Sequence, residues 1–474
     1  METVFAGREP RRVLAYFEEV SKIPRASGSE EAIAAYLVRF AKQNGLEYFC
    51  DSYNNVLIRR APVYPAEKTV LLQGHTDMVC VREPESRHDF SKDPLELFID
   101  PEGLIGAVGT SLGADDGAAV AMMLAALEEP SDYGLECLFT ASEEVGLIGA
   151  KRFDFSKIHS RTMINLDSED EHEAIAGCAG GLRIHACRDI PSAAFSGEVL
   201  KIEISGLAGG HSGSDIHLGR VNAARLLSGL LLWLCEKYDC RLIRFFGGEQ
   251  DNAIPAFAEA EVQISARADS AIREWFGRRR RGFGEADGNA AISLARLPYD
   301  GQVFDMHTTK QIVRLISEVP NGVVSMDGAL GIVKTSLNMG VVRIGDGQMR
   351  LEFSLRSSSE TELDALAARL KEKLLSFGAV CREHDRYPAW AYTADSRLLQ
   401  KYRCVYRSLY GAEPRVCAIH AGLECGVIRQ AIPDMDMISL GPTMHQVHTV
   451  SERLDIASLE RFWEMLRRLI HELE

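Results

Sequence analysis

Apolar side chains recur at helical spacing over residues 11–20 and 30–44, and the second run ends at Gly45, a residue suited to stop a helix. Short apolar runs at 55–59, 69–73, 135–140 and 162–166 predict buried strands, with a small-residue helix over 117–127 between the second and third. Such alternation places helices over a sheet, so this part of the chain predicts an α/β domain with a mainly parallel sheet.

Near residue 193 the pattern changes. A strand at 199–204, a helix at 221–238 and a strand of alternating polarity at 259–268 precede a second set. That set has strands at 331–344 and 348–354, a strong helix at 360–377 and a strand near 379–383. Two strand–helix–strand sets predict an α+β insert of two similar lobes. From 396 the earlier pattern returns, with a helix at 396–410, strands at 415–419 and 435–440, and an amphipathic helix at 456–473. The expected organisation is one discontinuous α/β domain, residues 1–186 and 390–474, interrupted by an insert at 187–389.

A chain of 474 residues is too long for one core and suits two domains of ordinary size. A net charge of −15 argues against a general binder of nucleic acid or anionic membrane. The one cationic block, Arg278 to Arg281, reads as a solvated loop or helix end. The first twenty residues lack the apolar stretch of a signal peptide, and the longest apolar run, 226–235, is far short of the roughly 18–20 residues that span a bilayer. Eleven cysteines, with no Cys-x-x-Cys pair, fit reduced thiols in a cytoplasmic protein better than a disulfide framework or a thiolate zinc cage.

Metal-binding side chains concentrate in five segments: Gly74-His75-Thr76-Asp77, Gly113-Ala114-Asp115-Asp116-Gly117, Ser142-Glu143-Glu144-Val145-Gly146, Asn165-Leu166-Asp167-Ser168-Glu169, and His445 to His448. Predicted strands run into three of them, delivering His75 with Asp77, Glu143 with Glu144, and Asp167 at one sheet edge, where open α/β sheets collect ligands. Imidazole with carboxylate suits zinc, or manganese and cobalt in similar geometry. A hydrolytic pair of ions needs a bridging carboxylate, terminal ligands and a position open to water. In His-x-Asp, alternation lets the aspartate turn back and hold the ring's second nitrogen, fixing the tautomer. In the Glu-Glu pair one carboxylate can ligate while its neighbour stays free as a base. Singly, each motif has a plain structural reading; Asp115-Asp116 before a helix, for instance, is an N-cap. Their convergence on one edge favours the metal reading.

These segments resemble the aminoacyl-histidine dipeptidase family (peptidase D, or cytosolic non-specific dipeptidase), within a wider group of di-zinc peptidases that includes carboxypeptidase G and peptidase V. The matching stretches are QGHTDMVC, HDFSKDP, SLGADDGAAVAM, ASEEVGLIGA, NLDSED with GCAGG, SGLAGGHSGSDIHLGRVNA, HAGLECG and GPTMHQVHTVSERL, in the family's order along the whole chain. The resemblance implies a di-zinc peptidase catalytic domain with a mixed, mainly parallel sheet, interrupted by an α+β two-lobed lid domain. It implies that Asp115 bridges two divalent ions, zinc being expected and cobalt or manganese the alternatives. His75 and Asp167 would complete one ion's shell, Glu144 and His448 the other's. Glu143 would be the general base, and Asp77 would orient His75. The family histidine stands before a small hydroxyl residue, just upstream of an acid; His448-Thr449 with Glu452 fits this, and His445 falls where the family varies. Asp116 departs from the family's usual asparagine, and Val450 from its frequent proline.

In the insert, the resemblance makes His211, in a Gly-Gly-His-Ser-Gly turn, the donor to the oxyanion. Asn252 and Arg356 are candidates for holding the substrate's carboxylate, and His420 to Gly426, with Gly422 among them, are candidates for shaping the same pocket, whereas Asp215 and His217 have an equally good structural reading. The expected activity is hydrolysis of dipeptides, of Xaa-His type or broad specificity, by a cytoplasmic monomer or homodimer with no nucleic-acid or membrane partner. The rivals are an N-acyl amino acid deacylase with the same metal site and a metal-dependent binding protein without catalysis. A free carboxylate at Glu143 argues against the second, since a mere binder has no need of it.

Overall fold

The computed structural model describes residues 4–62, 69–130, 133–264, 267–328, 331–393 and 395–473. It divides into two compact units, one formed by Met1–Cys178, Trp390–Ala418 and Leu423–Glu474, the other by Ala179–Ala389 and Ile419–Gly422.

An eight-stranded sheet organises the first unit, in the order Glu47–Cys50, Val56–Arg60, Gly134–Thr140, Thr69–His75, Thr162–Asn165, Asp436–Ser439, Glu173–Cys178 and Arg415–Ile419. Its centre is parallel: Thr69–His75 lies between Gly134–Thr140 and Thr162–Asn165, and Thr162–Asn165 also pairs in parallel with Asp436–Ser439. Antiparallel pairs flank this centre, so the sheet is mixed around a parallel core. Central strands with every residue of Gly134–Thr140 buried need cover on both faces. Helix Ala114–Glu128 is therefore buried over residues 114–127, and its alanines and glycine let it pack closely. Gly74 shows how closely: a Cβ there would lie 2.4 Å from Asp116 Oδ2 and 2.8 Å from the Ala119 Cβ. Only glycine permits that approach, and the approach seats the start of the helix directly over the strand end that carries His75.

A small four-stranded sheet, in the order Met444–His445, Arg453–Asp455, Leu104–Ala107 and Leu97–Ile99, anchors the loop that contains His448. That loop is bent at Gln446 and His448, both with left-handed backbone (φ 50° and 63°), a conformation non-glycine residues adopt only when their surroundings hold it.

Among the described residues of the second unit, a nine-stranded antiparallel sheet packs against α-helices Ala223–Lys237, Asp269–Arg280, Met306–Glu318 and Glu360–Ser376. Along strand Gly180–Asp189, Leu182, Ile184 and Ala186 enter the core with these helices, while Arg183 and His185 alternate to the opposite face. The two strand–helix–strand sets are halves of this one sheet. They meet where Cys240–Gly247 pairs with Ile332–Gly345 through Phe245↔Ile344, Phe246↔Arg343 and Gly247↔Val342. The expected strand at 259–268 is observed as Ala258–Ile264; positions 265–266 lie outside the described residues, and a helix begins at Asp269. The arginine block is the last turn of that helix, where its charge complements the helix dipole.

Candidate functional site

In the first unit, Thr69–His75, Gly134–Thr140 and Thr162–Asn165 run in one direction and end together, with His75 opposite Thr140 and Gln73 opposite Asn165. The chain then turns at the same edge after each strand, which brings Asp77, Glu143, Glu144 and Asp167 to the end of His75's strand. Asp115 arrives from the start of the buried helix, and His448 from its loop.

Asp115 is the meeting point. Its Oδ1 lies 3.0 Å from His75 Nε2 and its Oδ2 3.0 Å from His448 Nε2. Glu144 Oε1 is 2.8 Å from the same His448 nitrogen, and Asp167 Oδ1 is 3.7 Å from His75 Nε2. Among the described residues, three overlapping groups could each hold a cation: His75 with Asp115 and Asp167, His75 with Glu143 and Glu144, and Asp115 with Glu144 and His448. A fourth, His185 with Asp251 and Glu352, lies in the second unit, but Arg183 already pairs with its aspartate and Arg350 with its glutamate. His445 is exposed on its strand and belongs to none of these groups.

Asp77 ties the centre together. Fully buried, it stands 3.4 Å from His75 Nδ1 and accepts hydrogen bonds from Ser27 Oγ at 2.7 Å, from the Glu143 N–H at 3.0 Å and from the Glu144 N–H at 3.3 Å. Burial alone would raise its pKa; His75, Ser27 and the Glu143 amide outweigh it and bring it down to about 2. Asp115 is held well below the carboxylate range because both imidazoles overcome its burial. Asp167 and Glu143 go the other way: desolvation, reinforced by neighbouring carboxylates, raises both despite the attraction of His75. Hydrogen bonds to Asp115 and then Glu144 push His448 up to about 11 against its burial. Five acidic side chains, Asp77, Asp115, Glu143, Glu144 and Asp167, thus crowd around two imidazoles in a poorly solvated place, a crowding that cations would relieve. The donor set of imidazole and carboxylate fits divalent ions of the zinc type.

Sequence reasoning missed the layer beneath. Glu424, fully buried, accepts from Thr140 Oγ1 at 2.6 Å and from Gln73 Nε2 at 2.5 Å, while Gln73 Oε1 accepts from Asn165 Nδ2 at 2.7 Å. Burial lifts Glu424 to about 7. These side chains lace the ends of the three central strands. Gln73, Thr140 and Asn165 are signalled only as polar residues in otherwise apolar strands, while Glu424 opens helix Glu424–Ala431 inside the HAGLECG stretch. Asp116, at the family's asparagine position, accepts the His75 N–H at 3.1 Å, and its other oxygen is buried without a hydrogen-bond partner. Burial raises its pKa well above the ordinary value.

The second unit brings His211, Arg356 and Gly422 together. His211 Nδ1 lies 3.2 Å from both the N–H and the Oγ of Ser214, and its Nε2 lies 3.4 Å from Arg356 Nη2. Burial and the Arg356 cation lower His211 to about 4, so its imidazole is neutral near pH 7. Arg356 also donates to the Tyr387 hydroxyl at 2.7 Å, and its Nε is buried without a partner. A Cβ at Gly422 would lie 2.7 Å from Cε2 of that tyrosine ring. His420 accompanies them, 2.7 Å from Ser336 Oγ and lowered to about 3 by burial and by Arg356. Asn252 joins through its backbone, its carbonyl accepting the Ser212 N–H at 2.8 Å. Asp215 supports the turn structurally, accepting from the His211 N–H at 3.0 Å and Arg220 Nη1 at 3.1 Å. The guanidinium, with a neutral imidazole beside it, forms a place for an anionic oxygen.

Fold and site together define a metal-dependent hydrolase of the α/β class. The model of peptidase family M20/M25/M40 matches residues 71–472, and the chain belongs to that family. It is accordingly a peptide-bond hydrolase that works with divalent metal ions. The chain is 36% identical over 477 residues to the cytosol non-specific dipeptidase of Escherichia coli (strain K12), covering 98% of each sequence. The crystal structure of aminoacylhistidine dipeptidase from Vibrio alginolyticus matches with a TM-score of 0.89 at 32% identity, over 100% of this chain and 98% of that one. A tripeptidase from Staphylococcus aureus shares the fold, with a TM-score of 0.62 at 17% identity and 98% of each chain covered. Among the described residues no helix is long and apolar enough to cross a membrane.

Proposed function

We propose that this protein is a cytoplasmic dipeptidase that binds two divalent cations, zinc first among them, and hydrolyses dipeptides of Xaa-His type or of broad sequence. The reading rests on Asp115, whose two oxygens each stand 3.0 Å from a different imidazole. Asp115 would be shared by the two ions, with His75 and Asp167 to hold one and Glu144 and His448 to hold the other. When bound, such a pair lowers the proton affinity of water and withdraws charge from a carbonyl oxygen.

The chain's own residues perform the remaining tasks. Glu143, whose burial raises its proton affinity, takes the proton of the attacking water and passes it to the leaving amine. Asp77 keeps His75 in one tautomer and, through two backbone N–H groups, holds the Glu143-Glu144 turn. His211, with a neutral ring, donates to the oxyanion of the tetrahedral intermediate. Arg356 takes the substrate's carboxylate, with Asn252 and Gly422 shaping its place.

The test is a panel of dipeptides, tetrapeptides and N-acetyl amino acids offered to the zinc-loaded protein, with metal content measured on the same sample. Chelator-sensitive cleavage of dipeptides, with tetrapeptides slow and about two metal ions per chain, is the expected result. Faster cleavage of N-acetyl amino acids than of dipeptides would make the protein a deacylase instead. Absence of any chelator-sensitive amide hydrolysis would reduce it to a metal binder.

A further inference from the structure

Two buried charges outside the proposed ligand set fasten the ligand-bearing segments to one another. Glu452 is 2% exposed and accepts four consecutive backbone N–H groups: Leu112 at 2.8 Å and Gly113 at 2.9 Å on Oε2, Ala114 at 2.8 Å and Asp115 at 3.4 Å on Oε1. Consecutive amides turned inward make a concavity that binds an anion. Here the anion is a side chain from the loop that carries His448. Arg25, also 2% exposed, works from the other side. Its Nη1 donates to the carbonyls of Thr76 at 3.2 Å and Asp77 at 3.1 Å, and its Nη2 donates to the carbonyl of Gly113. Gly113 and Gly117 make room for the guanidinium: a Cβ on either would fall 2.5 Å or 2.7 Å from Nη2. The peptide groups of Gly113 are thus gripped from both sides, by Glu452 at the N–H and by Arg25 at the carbonyl.

We infer that Arg25 and Glu452 are positioning residues for the metal centre: Arg25 sets the His75 segment against Asp115, and Glu452 sets the His448 segment against Asp115. The inference rests on the proposed ligand assignment. Neither side chain supplies a ligand. Their effect is on the distance between ligands that reach Asp115 from segments far apart in sequence. A carboxylate that collects four amides of one loop fixes that loop's orientation, and the orientation of Asp115 follows from it. Groups that orient ligands in this way are typically worth about 10–100-fold in metal affinity.

The experiment measures stepwise cobalt or zinc binding by calorimetry on metal-free protein, with visible absorption of the cobalt form, for wild type, Glu452→Gln and Arg25→Lys. Glu452→Gln keeps the side chain's size but replaces one acceptor oxygen by an amide that faces N–H groups. The expected result is about a tenfold or greater loss in affinity for one of the two ions, a changed cobalt spectrum, and a lower kcat at little-changed KM. Arg25→Lys keeps the charge without the fork and is expected to weaken metal binding as well. Wild-type affinities and spectrum in Glu452→Gln would overturn the inference. So would a loss shared equally by both ions and matched by lower stability of the metal-free protein, because that is a merely structural role. If Glu452→Gln does not fold, Arg25→Lys decides: normal binding of both ions overturns the inference, and a selective loss supports it. Failure of wild type to bind two ions would refute the ligand assignment itself, a result distinct from an unperturbed variant.

Discussion

Replacing Glu143 by glutamine or alanine separates proton transfer from metal binding. The turn that carries Glu143 is held through backbone, its N–H bound to Asp77 Oδ1 at 3.0 Å and the next N–H to Asp77 Oδ2 at 3.3 Å. Changing the side chain leaves both hydrogen bonds in place. Asp115, His75, His448, Glu144 and Asp167 keep their mutual geometry, so both variants are expected to retain their metal content. A positioned general base contributes about 10²–10⁴-fold to rate, which corresponds to about 2.7–5.4 kcal/mol of barrier at 1.36 kcal/mol per tenfold. The expected outcome is a fall in kcat within that range or beyond it, with KM changed little. Amine release from a dipeptide, followed alongside metal analysis of the same preparation, provides the measurement. Near-normal turnover by Glu143→Gln would remove Glu143 from the mechanism. Loss of metal in step with activity would make it a ligand.

Three further outcomes are expected. Asp77→Asn replaces one of two acceptor oxygens that serve His75, Ser27 and two amides, and should weaken metal binding about 10–100-fold; unchanged metal dissociation constants would count against its role as the group orienting His75. Asp116→Asn retains an acceptor for the His75 N–H and removes a buried acid lacking a partner on one oxygen, so activity should stay within a few-fold and thermal stability should not fall; a hundredfold loss would show that the acid itself is needed. His211 and His420, lowered to about 4 and about 3, should each withdraw stability as pH drops from about 6.5 toward 4, because the unfolded chain takes up protons near about 6.5 while the folded rings do not, whereas Glu424, lifted to about 7, acts in the opposite sense. Denaturant unfolding of wild type and His420→Asn across that range isolates the His420 part: the variant should gain stability relative to wild type as pH falls, and a constant difference would be inconsistent with burial of a neutral ring.

The parts of the fold legible in the sequence were those with strong periodicity. Expected helices at 11–20, 30–44, 360–377 and 396–410 correspond to Arg11–Ser21, Glu31–Gln43, Glu360–Ser376 and Arg397–Tyr410. The central strands were legible because burial on both faces makes them continuously apolar. Strands Gly180–Asp189 and Ala291–Val303 were missed for the opposite reason. One face of each is polar or exposed, and Ala291–Val303 holds a proline, a glycine and an aspartate that read as a turn. Helix Met306–Glu318 begins with a threonine pair that obscures its apolar stripe, although Asp305 caps it. At the site, side chains that follow strand ends could be read from chemistry and order. The tasks of Arg25 and Glu452 could not, because their partners are backbone groups, which any sequence supplies; Glu452 stood out only as the acid after His448-Thr449.

His448 and Asp115 are separated by 333 positions in sequence. A ribosome must synthesise past residue 448, and past the Glu452 carboxylate, before the loop bearing Asp115 acquires its full set of neighbours. Earlier parts of the chain begin to fold during synthesis, so on the proposed ligand assignment a polypeptide cut short of residue 448 would lack one imidazole of the centre and the carboxylate that gathers the Asp115 loop.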